Sequence, residues 1–192
     1  VEVSDGKVTL SGTVPDYTAS QAASEDAWEM AGVRYVQNDL TIKYPAEEVI
    51  PTDAEIKKNL ENLLLWQPNI DSTDIRASVD NGWVKLTGSV DAYWKKVRCE
   101  GLALGINGVV GLTSELAVVP TKDISDKIIA DDILAAMERN IQIDVDLIDV
   151  QVENGQVTLN GTVYSLPAFN AARRIAENTF GVLNVDNQLS IR

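Results

Sequence analysis

The stretch Val79-Asp-Asn-Gly-Trp-Val-Lys-Leu-Thr-Gly-Ser-Val90 has two near copies in the same chain, Val3-Ser-Asp-Gly-Lys-Val-Thr-Leu-Ser-Gly-Thr-Val14 and Val152-Glu-Asn-Gly-Gln-Val-Thr-Leu-Asn-Gly-Thr-Val163. Each sets Asp-Gly or Asn-Gly between alternating apolar and polar residues. A type I′ turn needs positive φ at both central positions, which these residue types tolerate best, so each stretch predicts a tight β-hairpin. The glycine frame continues outward: Gly6, Gly12 and Gly32 recur as Gly82, Gly88 and Gly108, and again as Gly155, Gly161 and Gly181, at constant spacings of 6 and 20. Repetition at fixed spacing is the mark of one supersecondary unit used three times.

After the second glycine of each frame come about fifteen helix-compatible residues, then Gly-Val and a third strand ending at Ile42, Val119 and Ile191. The third glycine is expected to cap the helix. Ala23 and Ala27, Cys99 and Ala103, and Ala172 and Ala176 stand four apart on one helix face, small enough for the helix to lie close on its sheet. Copies two and three are preceded by a further amphipathic helix. In copy two Thr52-Asp-Ala-Glu55 forms a capping box, and Ile56, Leu60, Leu63 and Leu64 follow at core spacing; Ile129, Ile133, Leu134 and Met137 do the same in copy three.

The sequence therefore predicts an α+β protein of three tandem αββαβ modules, at residues 1–44, 52–119 and 123–192. Each is a small mixed three-stranded sheet covered on one face by two helices. Copy one lacks the leading helix, which leaves its sheet partly bare; at roughly 25 cal/mol per Å² of apolar surface the loss amounts to several kcal/mol. Further chain or a neighbouring molecule is expected to supply cover. The chain opens at Val1 inside a strand-like stretch with no export signal, so an N-terminal part is expected to have been removed. The linkers, residues 44–52 with Pro45 and Pro51 and residues 120–125, are short and semi-rigid, which predicts an articulated string of beads.

The glycine frame with its αββαβ reading resembles the BON domain family over nearly the whole chain. The resemblance implies an extracytoplasmic or periplasmic bacterial module, often in tandem and including lipoprotein forms, with cytoplasmic placement left open. It further implies association with osmotic stress, and binding to phospholipid surfaces or support of envelope proteins and secretin-like pores. A BON module also occurs in a potassium-binding protein.

Composition narrows the chemistry. With 16 basic against 29 acidic residues the formal charge is −13, which repels nucleic acid and the bulk of anionic bilayers, so any lipid contact must be local. The absence of histidine removes Ser/His/Asp and Cys/His catalytic arrangements, and the single cysteine, Cys99, removes internal disulfides and Cys/His zinc clusters. No enzymatic activity, cofactor or metal is expected. The apolar runs fall far short of the roughly 18 to 20 residues of a membrane-spanning helix. Gly105, Gly108 and Gly111 match no phosphate-binding fingerprint. Asp144, Asp146 and Asp149 lack the spacing of a calcium loop and read as a solvated loop, and Asp131 and Asp132 read as a solvent-facing helix pair. Cys99 takes the small helix-face position of Ala23 and Ala172 and reads as core.

One departure between copies points to a site. The second helix of copy two opens Tyr93-Trp-Lys-Lys-Val-Arg98, where the others read Tyr17-Thr-Ala-Ser-Gln-Ala22 and Leu166-Pro-Ala-Phe-Asn-Ala171. Residues 1–50 carry 3 basic and 9 acidic side chains, residues 51–120 carry 7 and 9, and residues 121–192 carry 6 and 11, so the middle copy is least repelled by anionic headgroups. Trp94, Lys95, Lys96 and Arg98, joined by Trp66 if part of the Leu63–Trp66 run faces outward, form the candidate lipid contact. The alternatives are Trp66 in the core beside merely solvating lysines, a protein scaffold docking through sheet edges or self-associating through the incomplete first copy, and a small-ligand or potassium sensor.

Overall fold

The computed structural model describes residues 1–44 and 50–192; Pro45, marked above as part of a linker, lies outside the described residues. The first unit runs β1 (Glu2–Ser4), β2 (Lys7–Val14), α1 (Tyr17–Glu29), β3 (Tyr35–Ile42). The second runs α2 (Asp53–Leu65), β4 (Arg76–Asp80), β5 (Trp83–Val90), α3 (Tyr93–Leu104), β6 (Gly111–Val118). The third runs α4 (Asp126–Glu138), β7 (Ile148–Glu153), β8 (Gln156–Val163), α5 (Leu166–Asn178), β9 (Asn184–Ile191). The chain is thus an α+β protein of repeated modules, each with a three-stranded sheet whose central strand pairs antiparallel with the first strand and parallel with the last.

The hairpins follow from their turn residues. Asp5 and Gly6 have φ of 50° and 79°, Asn81 and Gly82 have 50° and 76°, and Asn154 and Gly155 have 50° and 73°, the positive pair a type I′ turn requires. The third glycine of each frame plays a different part from the one expected. The helices end earlier, at the caps Met30, Gly105 and Thr179. Gly32, Gly108 and Gly181 instead sit third in the turn that enters the last strand, closed by Val33 N–H to Met30 O, Val109 N–H to Ile106 O and Val182 N–H to Thr179 O. Their φ of 88°, 95° and 90° suits a type II turn, whose third position disfavours a side chain.

Two complete cores result. In module two Ile56, Leu60 and Leu64 of α2 meet Val84, Leu86, Cys99, Ala103, Val109 and Leu116. In module three Ile129, Ile133 and Met137 of α4 meet Val157, Leu159, Ala172, Ala176, Val182 and Leu189. The first module has no helix in that place. Its buried residues are Val8, Leu10 and Ser20 alone, and Ala23, Ala27 and Val33 stay half-exposed where Cys99, Ala103 and Val109 are fully enclosed.

The modules pack on one another, which corrects the expected string of separate beads. The Tyr44 hydroxyl accepts from Gly108 N–H at 2.9 Å and donates to Val109 O at 3.1 Å, tying the end of module one to the second module's turn. Trp28 of α1 lies against Phe169 of α5 with ring centroids 5.6 Å apart. Tyr93 of α3, partly buried, packs against the core of module three. Burial there, with the carboxylates of Glu177 and Glu100, holds its hydroxyl above the ordinary tyrosine range.

Candidate functional site

The candidate residues gather where α2 ends and α3 begins. α2 opens on the capping box: Thr52 N–H donates to Glu55 Oε2 at 2.8 Å and Glu55 N–H to Thr52 Oγ1 at 3.4 Å. The Thr52 N–H bond, with a second from the Thr52 hydroxyl to the same Glu55 oxygen at 2.8 Å, holds the Glu55 carboxyl below its ordinary value. From that start, Ile56, Leu60 and Leu64 turn inward at four-residue steps. A helix advances about 100° per residue, so four consecutive apolar residues cannot share one face. Leu63, Leu65 and Trp66 are left outside at 39%, 72% and 81% exposure. Leu63, which its spacing had placed with the core, thus lies at the edge of the covered face, and Trp66 is surface rather than core.

Trp66 is the C-cap of α2, and the chain then turns through Gln67 and Pro68 to the buried anchor Ile70. α3 starts beside this turn. Arg98 Nε donates to Gln67 Oε1 at 3.5 Å, bringing the guanidinium next to the Trp66 cap. Trp94, half-buried, lines a groove of about 530 Å³ shared with Pro68, Asn69, Ile70, Asp71 and Lys95. Lys95 Nζ lies 5.6 Å from the Trp94 ring centroid and 2.7 Å from Asp91 Oδ1, with its side chain only 17% exposed.

The four cationic and aromatic residues of α3 therefore separate into roles. Lys95 is held between Asp91 and Asp71, whose carboxyl is kept below its ordinary value by hydrogen bonds from Thr73 and, to a lesser extent, by the Lys95 charge. Its field is largely spent locally. Arg98 is exposed and Lys96 half-exposed, and neither forms an ion pair among the described residues. The exposed Leu65 and Trp66 stand next to Gln67, which Arg98 reaches, and Trp94 lines the groove that begins at the neighbouring Pro68. Tyr93, the first residue of the same helix, turns away to module three.

Sequence reasoning had Leu65 within the run of which part could face outward, and Leu65 is the most exposed leucine of that run at 72%. It passed over the contacts of Tyr93 and Tyr44, whose partners lie in other modules and leave no local signal. Cys99 is fully enclosed, and burial together with the Glu100 charge pushes its thiol up to about 11. Asp144 and Asp146 flank and enter a short 3₁₀ turn, Val145–Leu147, and Asp149 lies on β7 with all three carboxylates exposed.

The chain belongs to the BON domain family, whose sequence profile matches residues 1–44, 52–120 and 125–192. Among characterised proteins it is similar to osmotically-inducible protein Y of Escherichia coli K12, 30% identical over an alignment of 155 residues that covers 73% of this chain and 73% of that one. Among solved structures it is matched to CdsD, a structural protein of the type III secretion system of Chlamydia trachomatis, at 14% identity and a TM-score of 0.30, over 96% of this chain and 79% of that one.

Proposed function

We propose that this chain is a non-enzymatic binding protein of the bacterial cell envelope, serving under osmotic stress, that makes a peripheral contact with anionic phospholipid through its middle module. The observation that carries the reading is the exposure of Trp66 and Leu65, 81% and 72%, at the helix end whose next residue, Gln67, is reached by Arg98 from the helix that also carries Lys96. Aromatic and aliphatic groups at a headgroup boundary gain apolar contact, and each nearby cation adds about 1 kcal/mol against an anionic leaflet. Two free cations suit a chain whose overall charge of −13 opposes approach: the attraction has to be local and close. Family membership and the similarity to an osmotically inducible protein support the envelope and stress setting. No helix among the described residues is long and apolar enough to cross a membrane, which fits a contact made at the surface.

Co-sedimentation with vesicles of anionic and of zwitterionic lipid, at low and physiological salt, tests this. The expected result is salt-sensitive pelleting with anionic vesicles, reduced about tenfold or more in Lys96→Glu/Arg98→Glu, because two attractive charges become repulsive. Absence of pelleting with any vesicle overturns the reading.

A further inference from the structure

Modules two and three share one plan and depart from each other at two neighbouring places. Two residues beyond the paired end of β3 stands Tyr44, whose hydroxyl accepts from Gly108 N–H at 2.9 Å and donates to Val109 O at 3.1 Å in the turn of module two. Two residues beyond the paired end of β6 the same position is Pro120, which has no hydroxyl to offer the turn of module three. The second departure lies at the helix cap. Thr52 and Glu55 bond each other in both directions at the start of α2. The counterpart Ser125 makes no side-chain cap bond, and Ile128 in the place of Glu55 removes the reciprocal one.

Both departures border one cavity. It measures about 560 Å³ and is lined by Pro120, Lys122, Ile124, Ser125, Gly181 and Leu183 among others. That volume falls within the roughly 300–1,000 Å³ of small-molecule sites, which pair apolar walls with a few fixed polar groups. Gly181 N–H and Val182 O, the counterparts of the two groups that hold the Tyr44 hydroxyl, form no hydrogen bond among the described residues. Other polar groups of the wall are already satisfied. Asp126 accepts from Asn154 and Gly155 N–H at 2.8 Å each, and Gly155 O accepts from Leu183 N–H at 2.8 Å. A backbone donor and acceptor on successive residues suit a hydroxyl, which accepts one bond and donates another. A carboxylate or phosphate suits them less: it has no proton for Val182 O, and it would meet Asp123 and Asp126, which also line the cavity.

We infer that this cavity is a binding site for a para-hydroxyphenyl group, carried either by a small phenol or by a tyrosine side chain of a peptide. The hydroxyl accepts from Gly181 N–H and donates to Val182 O, as Tyr44 does in module two, and the ring lies against Pro120, Ile124 and Leu183. The turn is fixed beforehand by its closing bond from Val182 N–H to Thr179 O, so little order is lost on binding. The site belongs to module three and does not depend on the lipid contact proposed for module two.

The whole chain carries 12 glycines, so nitrogen-15 labelling of glycine alone lets the Gly108 and Gly181 amides be followed separately by nuclear magnetic resonance. 4-Methylphenol is expected to move the Gly181 amide downfield saturably, with a dissociation constant of about 1 mM for so small a ligand, and to leave Gly108 in place. Toluene, the same ring without the hydroxyl, should bind at least about tenfold more weakly. N-acetyltyrosinamide separates the two sources: tighter binding than 4-methylphenol assigns a peptide tyrosine, weaker binding a small phenol, and each upholds the site. Tyr44→Phe calibrates the readout by moving Gly108 upfield. Pro120→Tyr should set the Gly181 amide downfield without ligand and abolish 4-methylphenol binding. The proposal is overturned if 4-methylphenol leaves Gly181 unmoved, if toluene binds equally well, if inorganic phosphate gives the same Gly181 shift, or if Pro120→Tyr keeps the parent's Gly181 position and affinity.

Discussion

Replacing Trp66 with alanine should leave the fold almost untouched and weaken lipid binding strongly, and both magnitudes follow from where the ring sits. Trp66 is 81% exposed and belongs to neither core cluster, so its removal should change unfolding free energy by no more than about 0.5 kcal/mol, the usual range for surface positions. Leu64, two residues earlier and 3% exposed, gives the contrast: Leu64→Ala should cost about 2–5 kcal/mol through lost burial and the cavity left behind. At a vesicle surface the ranking reverses. A tryptophan can bury roughly 150–250 Å². If half of that, about 100 Å², enters the headgroup boundary, about 25 cal/mol per Å² gives about 2.5 kcal/mol, or roughly a 70-fold drop in partitioning. Denaturant unfolding followed by circular dichroism measures the first quantity, and vesicle co-sedimentation over a lipid titration measures the second. An unfolding midpoint shifted as far as that of Leu64→Ala would place Trp66 in the core after all. Unchanged vesicle binding in a stable Trp66→Ala protein would refute its part in the contact.

Two further outcomes follow from the cores. Cys99 is fully enclosed with its thiol raised to about 11, so at pH 8 the folded chain should resist a water-soluble disulfide reagent and react fully once denatured; rapid labelling of the native chain would contradict that enclosure. Gly161→Ala should destabilise module three well beyond the effect of Gly12→Ala on module one, as read by hydrogen exchange. Both positions have φ above 120°, with a shared strain of about 1–3 kcal/mol, but only at Gly161 would the new Cβ fall 2.1 Å from a backbone oxygen, that of Leu147, while Gly12 has nothing within 4 Å. Equal effects would mean that the space over Gly12 is not open.

Much of this molecule is written in local signals. The three hairpins rest on Asp5-Gly6, Asn81-Gly82 and Asn154-Gly155, because the φ a two-residue turn imposes is a property of those residues and needs no distant partner. The capping box at Thr52 and Glu55 and the four-residue spacing of Ile56, Leu60 and Leu64 are legible for the same reason, since helix geometry brings near neighbours together. Comparing the copies also exposed the basic and aromatic cluster at Trp94 to Arg98, as well as the bare first sheet.

Other features required the fold in three dimensions. The helix spacing admitted Leu63 to the core, but the row that meets the core is Ile56, Leu60 and Leu64, which leaves Leu63 39% and Trp66 81% exposed. Gly32, Gly108 and Gly181 follow their helices closely enough to read as caps, yet each is needed one turn later, where the chain bends into its last strand. Lys95 counts as a cation in the sequence and is spent on Asp91 and Asp71 in the structure. The docking of modules through Tyr44, Tyr93 and the Trp28–Phe169 pair had no sequence signature at all. Periodicity reports which face of an element is apolar; it carries no information about which distant surface that face, or a tyrosine at its edge, will meet.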